Sequence, residues 1–167
     1  MKHKKIKGCV NSGRGLAKAI IENSYSEIED LTSEKMYPGS LNIVLNRPIS
    51  FKSSQGHRFD NGRRCLWRAF IADVKIPVYV YRWKGCPLHI IELISTEKLR
   101  ERFKLVNGSK LCIDIDDAMV ARLPFYRHFI WMILWRYRET YYYNNNKYKD
   151  MIYRLFIRSV ASQHFDE

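Results

Sequence analysis

The sequence contains few cysteines, few acidic residues and no long hydrophobic run. The four cysteines, Cys9, Cys65, Cys86 and Cys112, form no C-x-x-C pair. They therefore offer no structural zinc site, and we expect four reduced thiols. The longest apolar-rich stretch, 129–135, is far shorter than the ~20 residues that span a bilayer. No apolar segment follows the basic N-terminus, which predicts that there is no signal peptide and that the protein is cytoplasmic.

Acidic residues are outnumbered by basic ones. The 167 residues include 17 Asp or Glu against 29 Lys or Arg, which gives a formal net charge of +12. This excess favours a polyanionic partner, namely nucleic acid, a phosphorylated ligand or an anionic membrane surface, and does not choose among them. With 46% hydrophobic and 14% aromatic residues, the chain can bury a real core, which excludes bulk disorder.

The first two thirds of the chain have the pattern of a small all-β protein. Short apolar runs at 41–45, 69–72, 78–81 and 111–115 alternate with turn signals that include Asn61-Gly62. Such spacing predicts a compact barrel or sandwich, with a hairpin turn at Asn61-Gly62. Two helices interrupt the β pattern, one over about 22–31 and a short one over 95–103, which Ser95 or Thr96 can cap.

After Pro124 the pattern becomes helical and predicts a hairpin of two helices. An apolar stripe marks the first helix: Phe125, Phe129, Met132, Leu134 and Trp135. The second helix is predicted over about 147–162, with its inward residues Ile152, Leu155, Phe156 and Val160. The sequence therefore divides into a β domain, 1–116, and a helical extension, 117–167.

Aromatic residues are concentrated in this extension. We expect Trp131, Trp135 and the tyrosines at 141–143 to pack the hairpin onto the β domain. With the neighbouring Arg127, Arg136 and Arg138, the same group can instead lie at a membrane interface.

Two glycines lie directly after a predicted strand over 6–10, within Gly13-Arg14-Gly15-Leu16-Ala17-Lys18. Glycines allow the backbone to approach a phosphate closely, so that its N–H groups can bind the phosphate oxygens. Arg14 and Lys18 add positive charge. The segment has neither the Walker A pattern nor a full G-x-G-x-x-G, and an ordinary tight turn remains the alternative.

Two further segments carry polar residues on predicted strands. In Pro38-Gly39-Ser40-Leu41-Asn42, Ser40 and Asn42 alternate with apolar residues and share one face of a strand. Their hydroxyl and amide oxygens are ligands of the kind Mg²⁺ accepts beside phosphates; a polar strand face is the alternative. Glu92 lies within an apolar strand and needs a partner, either a basic side chain or a ligand.

In this order and spacing, the three segments resemble the CTP-dependent riboflavin kinases known best from archaea. That family has a Gly-rich segment after its first strand, then P-G-[ST]-L-N, then E-I-I-x-P-x-x-L-R-E before a glycine turn. The resemblance covers about residues 5 to 116. It implies a mainly β fold, a six-stranded cradle-loop barrel, with the helical hairpin added. It also implies transfer of the CTP γ-phosphoryl group to riboflavin, which gives FMN and CDP.

The resemblance also implies roles for individual residues. Ser40 and Asn42 match the Mg²⁺ ligands, Glu92 matches a flavin contact, and Lys84 aligns with a flavin-contacting Thr in a loop that is shorter here. The residues that match the family's nucleotide site are Gly13, Arg14, Gly15, Leu16, Ala17, Lys18, Glu97, Lys98, Leu99 and Arg100. Two departures are Ala17, where the family has Gly, and the missing Pro near Ser95-Thr96. No catalytic base is identified.

Other functions stay open at this point. One is a CTP-dependent kinase of another hydroxyl compound, such as a sugar or nucleoside; another is a non-catalytic barrel that binds nucleotides or nucleic acid. The extension lies outside the family core and can cover the acceptor site, form a homodimer or dock a partner. It carries eight Lys or Arg and five Asp or Glu, so +9 of the net +12 belongs to the β domain. We therefore expect a nucleotide rather than nucleic acid as the partner.

Overall fold

Nine strands and six helices follow one another in the residues that the computed structural model describes, 2–155 and 162–165. The strands are β1 His3–Asn11, β2 Leu41–Leu45, β3 Ser50–Phe51, β4 His57–Phe59, β5 Arg64–Ile71, β6 Ile76–Trp83, β7 Ile90–Ile94, β8 Lys110–Asp116 and β9 Val120–Ala121. The helices are α1 Leu16–Asn23, α2 Tyr25–Thr32, α3 Leu99–Arg102, α4 Phe125–Trp135, α5 Tyr141–Asn144 and α6 Asn146–Leu155.

Six antiparallel strands close into a barrel, as predicted. They follow the order β5-β6-β7-β2-β1-β8, and β8 pairs again with β5 through Ala69 opposite Ile115 and Ile71 opposite Ile113. Strand β4 adds to β5 outside the closed ring, and β3 and β9 form a separate two-stranded ribbon. Closure leaves no barrel strand with an unpaired edge.

The barrel is filled by side chains that alternate along each strand. On β7 every residue is buried. Ile91 and Leu93 belong to the interior cluster, whereas Ile90 and Ile94 belong to two outer clusters beneath the added helices. Because Glu92 has the same parity as Ile90 and Ile94, it lies on the outer face, under a cover of helices.

Three local predictions require correction. The helix predicted over 22–31 is two consecutive helices, α1 and α2, which begin further upstream, at Leu16. The helix predicted over 95–103 is the single turn α3, and the Ser95 hydroxyl accepts the Glu97 N–H in the turn before it. The β4–β5 hairpin turns at Asn61-Gly62 as predicted, although the connection is four residues long.

The first extension helix, α4, is rotated relative to the predicted stripe. Its buried residues are Trp131 and Trp135, which stack against His89 of the barrel domain at ring-centroid distances of 5.8 and 4.7 Å. Phe125 and Phe129 are 83% and 49% exposed, so the predicted stripe is wrong at these two residues, whereas its other members, Met132, Leu134 and Trp135, pack against the barrel domain. The two indoles are four residues apart and offer the largest apolar surface on one face. They pack onto the barrel domain as predicted.

The second extension helix, α6, begins near the predicted start and is described as far as Leu155. Ile152 is buried on it, as expected. The predicted inward side chain of Leu155, and Phe156 and Val160 as a whole, lie outside the described residues. Ser162 pairs with Pro87, and the Gln163 side chain bonds both backbone polar groups of Phe51. Over 2–155 and 162–165, no helix is both long and apolar enough to cross a bilayer.

Candidate functional site

A cavity of about 640 Å³ lies where all three motif segments meet. From the first two segments it is lined by Gly13, Arg14, Gly15, Leu16, Ala17, Lys18, Ser40 and Asn42. From the third it is lined by Glu92, Glu97, Lys98, Leu99 and Arg100. These are thirteen of the fourteen site residues that the sequence suggested, and they come from parts of the chain up to 87 positions apart (Gly13 to Arg100).

The floor of the cavity is a row of side chains across three neighbouring strands. Asn42 of β2 pairs with Glu92 of β7, and Glu92 pairs in turn with Tyr81 of β6. Directly paired residues of antiparallel strands direct their side chains to the same face, at roughly 5 Å spacing. The barrel register therefore sets an amide, a carboxylate and a phenol side by side.

Glu92 is the buried centre of a hydrogen-bond network. The Ser40 hydroxyl donates to its Oε2 at 2.5 Å. When the Asn42 amide is oriented to satisfy its surroundings, its Nδ2 donates to Glu92 Oε1 at 3.2 Å and its Oδ1 accepts the Gly13 N–H at 3.2 Å. Burial raises the pKa of Glu92, while the Ser40 hydrogen bond and the charge of Arg64 act in the opposite direction.

The same three side chains supply a hydroxyl, an amide and a carboxylate, which are hard oxygen donors. Within the described residues there is no group of three or more His, Cys, Asp or Glu that could hold a metal ion by itself. The hydroxyl, amide and carboxylate oxygens are donors of the kind that Mg²⁺ accepts, and this ion commonly binds through one or two protein groups and takes its other ligands from water and substrate phosphates.

The glycine loop contacts this network directly. A Cβ at Gly13 would lie 2.2 Å from the nearer terminal atom of the Asn42 amide, so only glycine allows this approach. Gly15 has a φ of 74° and forms the N-cap of α1 without a side-chain hydrogen bond. Because Gly15 has no side chain, it cannot cap the first N–H groups of α1, which lie next to the cavity wall at Leu16 to Lys18. A helix N-terminus of this kind attracts anions.

Basic side chains outnumber acidic ones around the cavity. The basic lining residues are Arg14, Lys18, Arg64, Lys98 and Arg100, and the acidic ones are Glu92 and Glu97. Arg100 also positions the loop, because its guanidinium donates to the carbonyl of Asn11 at 2.9 Å and to Asn107 Oδ1 at 3.2 Å. The field in the cavity favours an anion.

Helix α5 of the extension supplies one wall, and covering the acceptor site was one of the roles that the sequence left open for the extension. The Tyr143 hydroxyl lies 3.1 Å from the Asn42 amide, and Arg14 donates to the carbonyl of Tyr142. The Arg14 guanidinium also lies 4.6 Å from the centre of the Tyr142 ring. Burial raises the pKa of both tyrosines.

Strands β5 and β6 supply further lining residues that sequence reasoning missed. Tyr81 and Trp83 form an aromatic wall with Tyr142, at ring-centroid distances of 6.0 and 6.2 Å. Arg64 donates to the Tyr81 hydroxyl and pairs with Asp60 at 2.7 Å. The sequence held one sign of this wall: Tyr81 and Trp83 are two residues apart on a predicted strand, so their side chains point to the same face.

Lys84 is the one predicted site residue that does not line the cavity. It is exposed and follows the end of β6, where its N–H donates to the carbonyl of Arg63 at 2.8 Å. Trp83 lines the cavity, and the chain then turns at Gly85, whose φ is 87°.

No protein-family model matches the chain, and no curated protein matches it either.

Proposed function

We propose that the chain is a CTP-dependent kinase that transfers the γ-phosphoryl group to riboflavin and gives FMN and CDP, with Mg²⁺ as cofactor. The observation that carries the proposal is the convergence of the three motif segments on one basic cavity. A chance resemblance gives no reason for segments separated by tens of residues to share a cavity. We further propose that it acts in the cytoplasm, since its four cysteines are unpaired.

The glycine loop and the start of α1 would hold the triphosphate. Backbone N–H groups there bind phosphate oxygens, and Arg14 and Lys18 neutralise charge. Lys98 lies across the cavity on the third segment. Phosphoryl transfer depends chiefly on positioning and on neutralising negative charge, and these groups supply both.

Ser40 and Asn42 would hold Mg²⁺, beside the carboxylate of Glu92. When bound, the ion neutralises charge on the transferring phosphates and orients them. Gly13 keeps Asn42 in place through its N–H, and Tyr143 contacts the same amide from the opposite side. The protein thus fixes these side chains before the nucleotide arrives, which reduces the cost of ordering them on binding.

The aromatic wall and Glu92 would hold the acceptor. Trp83 is partly exposed in the cavity, with Tyr81 and Tyr142 buried beside it, and its ring offers a face on which a planar heteroaromatic ring can stack. Glu92 accepts hydrogen bonds and lies at the base of the same cavity. A flavin offers both features, an extended planar ring and polar groups at its edge.

A second acceptor class is favoured by a specific observation. Tyr143 of α5 contacts Asn42, and Tyr142 packs over the glycine loop, so the extension narrows the acceptor side of the cavity. Lys84 also lies outside the cavity. A smaller hydroxyl compound, such as a sugar or nucleoside, fits this narrowing and would leave the nucleotide half of the proposal unchanged.

Formation of FMN tests the proposal. The purified chain is incubated with riboflavin, Mg²⁺ and either CTP or ATP, and the flavins are separated and detected by fluorescence. We expect FMN with CTP, faster than with ATP, and loss of activity in the Ser40→Ala, Asn42→Ala double variant. Lys84→Ala, outside the cavity, is the matched control and should keep full activity.

The alternative outcomes separate the two halves of the proposal. CTP binding without FMN would exclude riboflavin and retain a kinase for another acceptor. Neither CTP binding nor FMN would exclude the kinase as a whole. Full activity in the double variant would exclude Ser40 and Asn42 as Mg²⁺ ligands.

A further inference from the structure

The outward face of α4 carries exposed apolar residues over its whole length. Phe125, Tyr126, Phe129 and Ile133 are 83%, 59%, 49% and 58% exposed. Positions 125, 129 and 133 are four residues apart and lie on one side, and the Phe125 and Phe129 rings are stacked with centroids 6.5 Å apart. The opposite side holds the buried Trp131 and Trp135. A single helix therefore has two apolar faces, one packed and one open.

Basic residues stand at both ends of this face. Arg122 precedes α4, and Arg136 and Arg138 follow it, all of them exposed. The Arg136 guanidinium lies 5.0 Å from the ring centre of Tyr137, which is itself 82% exposed. Helix α4 contains no acidic residue. The nearest one after it, Glu139, accepts the Tyr137 N–H at 3.1 Å and is half-buried.

We propose that this face of α4 docks on an anionic lipid surface. Exposed Phe, Tyr and Ile on one side of a helix, with Arg at its ends, is the arrangement of helices that lie in the plane of a membrane interface. The aromatic rings suit the boundary between head groups and acyl chains, and the guanidinium groups complement lipid phosphates. The inference is independent of the proposed kinase activity.

A second copy of the chain is a weaker occupant. By its rise of 1.5 Å per residue, α4 is only about 16 Å long, and its open face offers five exposed apolar residues, including Tyr137. A stable protein interface uses roughly 20–30 residues on each side. Two such faces would also bring the arginines at their ends together, and like charges repel. An anionic bilayer has neither limit.

Cosedimentation with vesicles tests the proposal. The full chain is mixed with vesicles of phosphatidylcholine alone, or of phosphatidylcholine with phosphatidylserine. We expect binding to the anionic vesicles, weakened by added salt, and little binding to the neutral ones. Replacing Phe125 and Phe129 by Ser should lower the partition coefficient on the order of 100-fold, because two inserted rings are lost.

Matched variants distinguish this face from general stickiness. Val106→Ser removes an apolar residue that is 67% exposed elsewhere on the chain, and it should leave binding unchanged. An Arg122→Glu, Arg136→Glu variant should lose the preference for anionic vesicles. Far-ultraviolet circular dichroism confirms that each variant is folded.

Three results would overturn the proposal. The first is no binding of the folded wild type to the anionic vesicles. The second is equal binding by the wild type and the Phe125→Ser, Phe129→Ser variant. The third is a dimer in light scattering that the same double variant abolishes while vesicle binding is absent, since the face would then join two copies of the chain.

Discussion

Replacing Gly13 by Ala tests how the glycine loop positions the candidate metal ligand. The new Cβ would lie 2.2 Å from one terminal atom of the Asn42 amide, 2.8 Å from its Cγ and 2.9 Å from its other terminal atom. Contacts this short do not persist, so the Asn42 side chain must move. It then loses its hydrogen bonds to the Gly13 N–H and to Glu92.

The expected cost follows from these lost contacts. Each of the two lost hydrogen bonds contributes about 0.5–1.5 kcal/mol, and overpacking costs about 1–3 kcal/mol. Because movement of Asn42 relieves most of the overpacking, we expect a loss of about 2–3 kcal/mol in the free energy of unfolding. For a domain of this size, that corresponds to a Tm lower by about 4–9 °C.

A double-mutant cycle isolates the contact. In an Asn42→Ala background the clashing atoms are gone, so Gly13→Ala should cost nothing there and can stabilise by about 0.4–1 kcal/mol through the unfolded chain. Urea unfolding, followed by tryptophan fluorescence, gives the four free energies. Gly15→Ala is the control, because its φ of 74° penalises any side chain by about 1–2 kcal/mol, while a Cβ there meets nothing within 4 Å.

The Gly13 cost must depend on Asn42, and the Gly15 cost must not. A Gly13→Ala cost that is the same in both backgrounds would refute the proposed contact and with it the positioning of Asn42 by the loop.

Three further predictions concern titration and the extension. Since burial raises the pKa of Glu92 above its ordinary value of 4.5, the wild type should lose stability relative to Glu92→Gln as pH rises from about 4.5; thermal melts at several pH values measure the difference. Burial lowers the pKa of His89 to about 3, so wild-type stability should fall below pH 6.5 at up to about 1.4 kcal/mol per pH unit. His89→Gln should remove that slope in urea unfolding. Tyr143→Phe removes the hydroxyl beside Asn42 and should change the KM for the acceptor more than the KM for CTP in steady-state kinetics.

Glu92 and His89 change the stability of the protein in opposite directions as the pH rises. The folded protein favours the protonated form of Glu92, which is uncharged, so stability is lost as pH rises through the raised pKa. It disfavours the protonated form of His89, which is charged, so stability is lost as pH falls towards about 3. The Glu92 prediction would be contradicted if the stability difference between Glu92→Gln and the wild type did not change with pH. The His89 prediction would be contradicted if His89→Gln kept the fall in stability at acid pH. The Tyr143 prediction would be contradicted if Tyr143→Phe changed the KM for the acceptor and the KM for CTP equally.

Sequence periodicity predicted those parts of the site that depend on a single strand. Ser40 and Asn42 lie two residues apart, and Glu92 interrupts an apolar run, so the shared face of the first two and the need of Glu92 for a partner follow from local pattern alone. The same local pattern predicted a compact barrel or sandwich, and only the family resemblance implied a six-stranded barrel. These features depend on neighbours one to four residues away, which a sequence displays directly.

Residues brought by register and by helix packing were not predictable. Tyr81 reaches Glu92 only because β6 pairs with β7 in one particular register. Tyr143 reaches Asn42, 101 positions away, because α4 turns its two tryptophans towards His89 and so brings the following helix to the cavity. The periodicity of α4 does not show which of its faces packs on the barrel domain, because the helix is apolar on both faces. Lys84 was wrongly predicted to line the site, because matching the sequence to the family does not show the turn that follows Trp83 and carries Lys84 away from the cavity.

The central claim is phosphoryl transfer from CTP, and the fate of the γ-phosphate tests it most directly. The chain is incubated with Mg²⁺, riboflavin and CTP labelled at the γ-phosphorus, and labelled FMN and CDP are measured together. Our account predicts label in FMN, with one CDP formed for each FMN, and no transfer by the Ser40→Ala, Asn42→Ala variant. Two results would contradict it. One is label that stays in CTP. The other is label that is released only as free phosphate, whether riboflavin or another hydroxyl compound is supplied as the acceptor.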